Sequence, residues 1–186
     1  MSPGLVVVIV VVVVVVVLAL VLLAQRRRSQ GLRERFGPEY QRTVARTGDQ
    51  RAAESQLAER EQRRRQLRIV PLEPAARGRY LEAWRATQNK FVDDPEAATR
   101  EADALVASVM RDRGYPVEDF EQRAADVSVD HPQVAENYRA AHAVSLANQQ
   151  GLASTDDLRQ AFVHYRSLFA ELLDVGEDGR TKESSR

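Results

Sequence analysis

The side chains of this chain best suited to chemistry are its three histidines and the acids and hydroxyls near them. Asp126, Ser128 and Asp130 alternate in the string Asp-Val-Ser-Val-Asp, and that spacing fits the opening positions of a calcium loop. The fit ends at once. The sixth position of such a loop needs glycine and is His131, the seventh is Pro132, and the twelfth is Asn137 in place of glutamate. Helix capping accounts for Asp126 and Asp130 more simply.

His142 follows Tyr138 by one helical turn, and Ser145 lies roughly one turn further on, so the three share a face. A nucleophilic serine needs a base, a third group that orients the base, and an oxyanion site; no glycine-flanked serine is present. Tyr138 and His142 therefore read as a half-buried helix contact, and His164 as a surface or boundary residue. The acidic clusters Asp93-Asp94-Glu96, Glu118-Asp119-Glu121 and Asp156-Asp157 each fall at an expected helix start, where negative charge offsets the helix dipole. With no cysteine and no phosphate-cradling glycine loop, the chain offers no catalytic residue, no metal site and no cofactor site, and it reads as a non-enzyme.

The elements that must position these residues are helical throughout. Residues 25–36 continue a helix that Gly37-Pro38 breaks, and a short second helix stops at Thr47-Gly48. Asp49 caps a polar helix reaching about Arg68, with Glu59–Arg63 and Glu61–Arg65 at ion-pair spacing and only Ala53, Leu57 and Leu67 to bury. This reads as an exposed stalk or coiled-coil arm. Ile69 to Pro74 is extended, because each proline disfavours helix in the residue before it.

Five helices follow. They are expected over about 74–89, from Asp94-Pro95 to Gly114, from Pro116, from His131-Pro132 to Gly151, and from a Ser154/Asp157 capping box to Gly176. In the last one Leu158, Phe162, Tyr165, Phe169 and Leu172 recur at four-three spacing. Such a stripe most often lines a bundle core, and its alternative use is a docking face for a partner helix.

The strongest signal lies upstream of all of these. Leu5 to Ala24 is an unbroken apolar run of 20 residues, 18 of them Val, Leu or Ile. As a helix it is about 30 Å long, the thickness of a bilayer's hydrocarbon core, and on an insertion scale it favours membrane entry by roughly 5 to 11 kcal/mol. A cleaved signal peptide fits poorly: the leader Met1 to Gly4 has no basic side chain, the run is too long, and Leu22 occupies the −3 position before the best cleavage candidate. Arg26, Arg27, Arg28, Arg33 and Arg35 follow the run, and no basic residue precedes it. The asymmetry predicts a single pass through a plasma membrane, N-terminus outside and the remainder cytoplasmic.

Net charge is zero, but residues 25–68 carry +7 and residues 69–175 carry −7. Basic side chains beside a span are drawn to anionic head groups, so Arg26, Arg27, Arg28, Arg33 and Arg35 are candidates for contact with the bilayer surface. Nucleic acid is disfavoured, since no aromatic residues interleave the basic run. Arginine outnumbers lysine 25 to 2, a skew typical of a GC-rich bacterial genome.

Three stretches, Phe36-Gly37-Pro38-Glu39-Tyr40, Phe91-Val92-Asp93-Asp94-Pro95, and Arg113-Gly114-Tyr115-Pro116-Val117 through Asp130-His131-Pro132, carry a resemblance. Over residues 32–173 the chain resembles a group of small bacterial membrane-anchored proteins without assigned activity, usually labelled hypothetical or secreted. The resemblance implies a membrane-tethered helical protein and carries over no site residue. Its "secreted" label conflicts with the orientation read from the arginines.

The sequence thus predicts an all-α protein: a leader (1–4), a transmembrane helix (5–24), a basic juxtamembrane helical stalk (25–70), an acidic helical bundle (74–175) and a disordered tail (176–186). Its expected role is a non-enzymatic interaction or scaffolding module at the membrane, partnered by the bilayer and by another protein or a second copy through helices. The rival is a tethered ligand-binding or hydrolytic domain, facing either the cytoplasm or the envelope, with Trp84, Tyr138 and His142 lining a pocket between helices.

Overall fold

A computed structural model of the protein describes residues 3–183, and side chains between residues 12 and 173 other than Val14 and Val21. The described residues form eight α-helices and no strand. In chain order these are α1 (Pro3–Phe36), α2 (Pro38–Thr47), α3 (Gln50–Gln66), α4 (Pro74–Lys90), α5 (Pro95–Asp112), α6 (Phe120–Asp130), α7 (Pro132–Gln149) and α8 (Thr155–Glu183). The chain divides into two compact units, residues 1–57 and residues 58–186, with the boundary inside α3.

In the first unit, Pro38 cannot continue α1 and instead opens α2 at its first position. Gly48 closes α2 in the left-handed conformation (φ 69°) and donates its N–H to the Val44 carbonyl at 2.9 Å, a backbone geometry that glycine adopts without steric cost. Asp49 then caps α3 as expected, its carboxylate accepting from the N–H groups of Arg51 (3.2 Å) and Ala52 (3.1 Å).

Leu32, Phe36, Tyr40, Ala53 and Leu57 are buried. Beside them is a polar knot in which Glu54 accepts hydrogen bonds from Ser29 (2.6 Å), Tyr40 (2.7 Å) and Gln50 (2.8 Å). Burial alone would raise the Glu54 pKa, but these three donors and the nearby Arg33 charge outweigh it and hold the carboxyl below its usual range.

Among the described residues no helix is long and apolar enough to cross a membrane. The transmembrane reading of residues 5–24 falls partly on Leu5 to Val11, Val14 and Val21, whose side chains lie outside those described. Of the rest, Val12, Val13, Val15 to Leu18, Leu20, Leu22 and Leu23 are each between 51 and 60 % exposed, so the chain itself covers none of them fully.

In the second unit, α8 packs along α5 and α7, with α4 against α5 and α6 against α7. Their facing sides bury one continuous core that includes Ala98, Ala102, Val106, Val109, Met110, Val127, Tyr138, Leu168 and Leu172. Three of the helix starts, those of α5, α6 and α8, are fixed by local side-chain caps. Asp94 accepts from the Ala97 N–H (2.9 Å) and Asp119 from the Gln122 N–H (2.7 Å). The Ser154/Asp157 box is reciprocal, with the Asp157 N–H donating to Ser154 Oγ (3.2 Å) and the Ser154 N–H to Asp157 Oδ2 (2.9 Å).

Four sequence expectations need correction. The third helix of the bundle begins at Phe120, not Pro116, because the cap is Asp119. The second half of α3 is exposed along much of its length but is not a free stalk: its arginines reach α6, Arg63 to Asp126 at 3.4 Å and Arg64 to Asp130, so charge fastens it where apolar area is scarce. Of the two expected pairs within α3, Glu61–Arg65 forms at 3.0 Å, while Arg63 is turned to Asp126. Finally, Gly176 does not end the last helix, which runs to Glu183 across most of the tail expected to be disordered; residues 184–186 lie outside the described part. A glycine inside a helix costs about 1 kcal/mol, which the good helix formers around it offset in part.

Candidate functional site

Two polar groups of side chains lie within the second unit, and they differ in how completely they are satisfied. The first gathers around Asp130 at the end of α6. Asp130 receives the Arg64 guanidinium and the Tyr115 hydroxyl (2.6 Å), and the guanidinium carbons of Arg64 and Arg113 lie 5.9 and 5.8 Å from the Tyr115 ring centre. Burial, with the Asp130 charge beside it, pushes the Tyr115 pKa far above its ordinary value.

Arg113 itself is 3 % exposed. Its Nη1 donates to the Leu172 carbonyl (2.7 Å) and its Nε to the Val70 carbonyl (3.3 Å), while the Val70 N–H donates to the Arg113 carbonyl (2.9 Å). One side chain thus ties the extended connector to the end of α5 and to α8. Nothing in the sequence pattern marks it, because an arginine next to glycine reads as an exposed helix end.

Asp126, Asp130 and His131 do not converge on a metal. Asp126 faces Arg63 and Gln122, whose amide donates at 3.0 Å; Asp130 faces Arg64 and Tyr115; and His131 Nδ1 lies 3.3 Å from Glu171. Among the described residues no group of three or more His, Cys, Asp and Glu side chains is placed to hold an ion. The capping explanation for these two acids also falls, since both sit in the C-terminal half of α6 and are held by arginines of α3.

The second group lies deeper, between α5, α6, α7 and α8. Tyr138 and Tyr165 are fully buried, with ring centres 6.3 Å apart. Phe120 stacks on His142 at 3.6 Å and tilts against Tyr138 at 5.0 Å, and the Arg123 guanidinium lies over the Phe120 and Tyr138 rings at 5.5 and 5.8 Å. Five buried polar atoms here lack a hydrogen-bond partner: Asp103 Oδ1, Arg123 Nε, Tyr138 OH, His142 Nδ1 and Tyr165 OH.

Native interiors contain few such atoms, and each carries a desolvation cost of about 1–3 kcal/mol. Asp103 and Ser145 are polar neighbours of the Tyr165 hydroxyl, yet neither meets it in hydrogen-bond geometry. Burial, rather than any single charge, dominates the electrostatics. It raises the pKa of both tyrosines and lowers that of His142, against a smaller opposing pull from Asp103.

The expected site residues fall in separate places. Tyr138, His142 and Ser145 do share the inner face of α7. Trp84 does not join them; it stacks on Phe162 (5.1 Å) and Phe169 (4.6 Å), in the layer formed by α4 and α8. Leu158, Phe162, Tyr165, Phe169 and Leu172 are each 7 % exposed or less. That stripe lines the core of the unit, which corrects the docking-face reading: α5 and α7 already cover it. His164 sits half-buried at the edge of the stripe, as its position in the repeat requires. Arg26, Arg27, Arg28, Arg33 and Arg35 are all exposed, and Arg33 stacks over the Tyr40 ring at 5.1 Å.

No family model, no curated protein and no solved structure matches this chain. The resemblance to small anchored bacterial proteins therefore rests on the three sequence stretches alone.

Proposed function

We propose that this protein is a single-pass membrane protein whose helical bundle acts as a non-enzymatic interaction module on the cytoplasmic face. The observation that carries the reading is the apolar run from Leu5 to Ala24 followed at once by Arg26, Arg27 and Arg28. The exposure of its described valines and leucines supports the reading, since contiguous uncovered apolar surface of this extent calls for lipid or a partner around it. Orientation follows from the arginine collar, and the bundle then works in the cytoplasm.

A tethered ligand-binding or hydrolytic domain is the rival. The unsatisfied atoms around Asp103 and His142 speak for it, and their burial speaks against it. Ser145 is 2 % exposed and the two tyrosines are fully buried, so a substrate reaches them only if helices part.

Alkaline extraction of membranes tests the anchor: the full chain is expected to stay in the pellet. A pair of C-terminal reporters, one active only in the cytoplasm and the other only outside, tests orientation. A polypeptide released at high pH and trimmed near residue 25 would overturn the proposal. The interaction role is tested by what co-purifies from detergent extracts with the full chain and not with a variant lacking residues 75–175.

A further inference from the structure

We propose that the first unit lies against anionic lipid head groups, through a surface on which exposed arginines outnumber exposed acids; this rests on the anchor proposed above. Four acids lie between residues 25 and 57; the structure takes Glu39 off the surface and engages Glu54 in hydrogen bonds. Glu39 is 2 % exposed, and Glu54 is engaged by Ser29, Tyr40 and Gln50. A third, Asp49, is committed to the first turn of α3.

Seven of the eight arginines in the same stretch are exposed, Arg42 alone being half-buried. The folded unit thus presents seven exposed arginines against two exposed acids, Glu34 and Asp49, and the half-buried Glu54. The fold also returns this charge toward the end of the apolar run. Gln50 bonds Ser29 (3.3 Å) and Ser29 bonds Glu54, so the first turns of α3 run beside α1 at Ser29. Ser29 is five residues past Ala24, or about 7.5 Å of helix.

That distance is within the screening length of about 8 Å at physiological salt. Arg51 follows Gln50 directly, so the bond of Gln50 to Ser29 keeps it near the part of α1 that carries Arg26, Arg27 and Arg28. Zwitterionic head groups would gain little from such a surface; anionic ones would be held by several arginines together. Phosphate oxygens suit arginine because its planar fork donates two parallel hydrogen bonds to them.

The test uses the full chain, which has no cysteine, with a single fluorophore on Ser55→Cys in α3. The protein is reconstituted into vesicles of phosphatidylcholine alone, or of phosphatidylcholine with phosphatidylglycerol, each carrying a head-group energy acceptor. Co-flotation with both vesicle types is expected, since the anchor needs no charge. Energy transfer is expected to rise about twofold with phosphatidylglycerol and to lose that rise near 1 M salt, where the screening length is about 3 Å.

The variant Arg46→Gln with Arg51→Gln is expected to lose most of the rise while still floating and keeping its helical circular dichroism. Equal transfer in both vesicle types, with normal flotation, overturns the lipid-surface inference and leaves the anchor standing. Failure to float with either vesicle overturns the anchor, and this inference falls with it.

Discussion

Gly114 has no room for a side chain, because a Cβ at that position would overlap the carbonyl oxygen of Arg68, and its φ of 94° already lies where only glycine is relaxed. Residue 114 is the point at which the connector leaving α3 crosses the end of α5, and the crossing is sealed by the Val70–Arg113 hydrogen bond. Gly114→Ala is therefore expected to destabilise the protein by about 2–4 kcal/mol, combining backbone strain with a clash against main chain that cannot rotate away. Urea unfolding followed through Trp84 fluorescence measures it; a change under about 0.5 kcal/mol would mean that the crossing yields easily.

Two tyrosines of similar burial should answer differently to loss of the hydroxyl. Tyr115 donates to Asp130 at 2.6 Å, whereas the Tyr138 hydroxyl has no partner. Tyr115→Phe is expected to cost about 1–3 kcal/mol, because it leaves a half-buried carboxylate short of a donor. Tyr138→Phe removes an unpaired polar atom from the interior and is expected to be neutral or stabilising. The same unfolding measurement separates them, and a costly Tyr138→Phe would point to a partner for that hydroxyl inside the bundle.

His142 gives the fold a pH dependence of known sign. Burial lowers its folded-state pKa; Asp103 and Glu121 pull the other way, and Arg123 acts with burial. The unfolded chain therefore takes up the proton more readily, and stability is expected to fall as pH drops through about 6.5. His142→Phe keeps the stack on Phe120 and removes the titrating nitrogen, so the variant should lose less stability between about pH 7 and pH 5. His131, whose pKa burial also lowers, adds a slope of the same sign in both proteins. Equal slopes in both proteins would contradict this account.

The proposed anchor has a quantitative margin that substitution can exhaust. Val13 and Val17 lie one turn apart in α1 and are 54 and 51 % exposed. Aspartate at both positions adds about 5–7 kcal/mol to insertion, comparable with the roughly 5 to 11 kcal/mol that the apolar run supplies. The double variant is expected to appear largely in the alkaline-soluble fraction, and a single Val13→Asp largely in the pellet.

The helices were legible from sequence wherever a local signal ended them: Gly48 and Asp49 around α2 and α3, Asp94 before α5, and the Ser154/Asp157 box before α8. The core stripe of α8 was legible too, because period is a property of one segment. What could not be read were the partners. Arg63, Arg64 and Arg113 look like surface charge in a linear chain, and each acquires its meaning only from an acid or a carbonyl tens of residues away. The failed expectation that Trp84 stands near His142 has the same origin, since helical pattern says which face is buried but not which neighbour it meets. The burial of Glu39 and the three hydrogen bonds that engage Glu54 are likewise products of folding.

Arg113 holds Val70 and Leu172, positions 43 and 59 residues away from it, with a single guanidinium. Loosening α8 at Leu172 and releasing the connector at Val70 therefore draw on the same side chain, and a disturbance at either place is felt at the other.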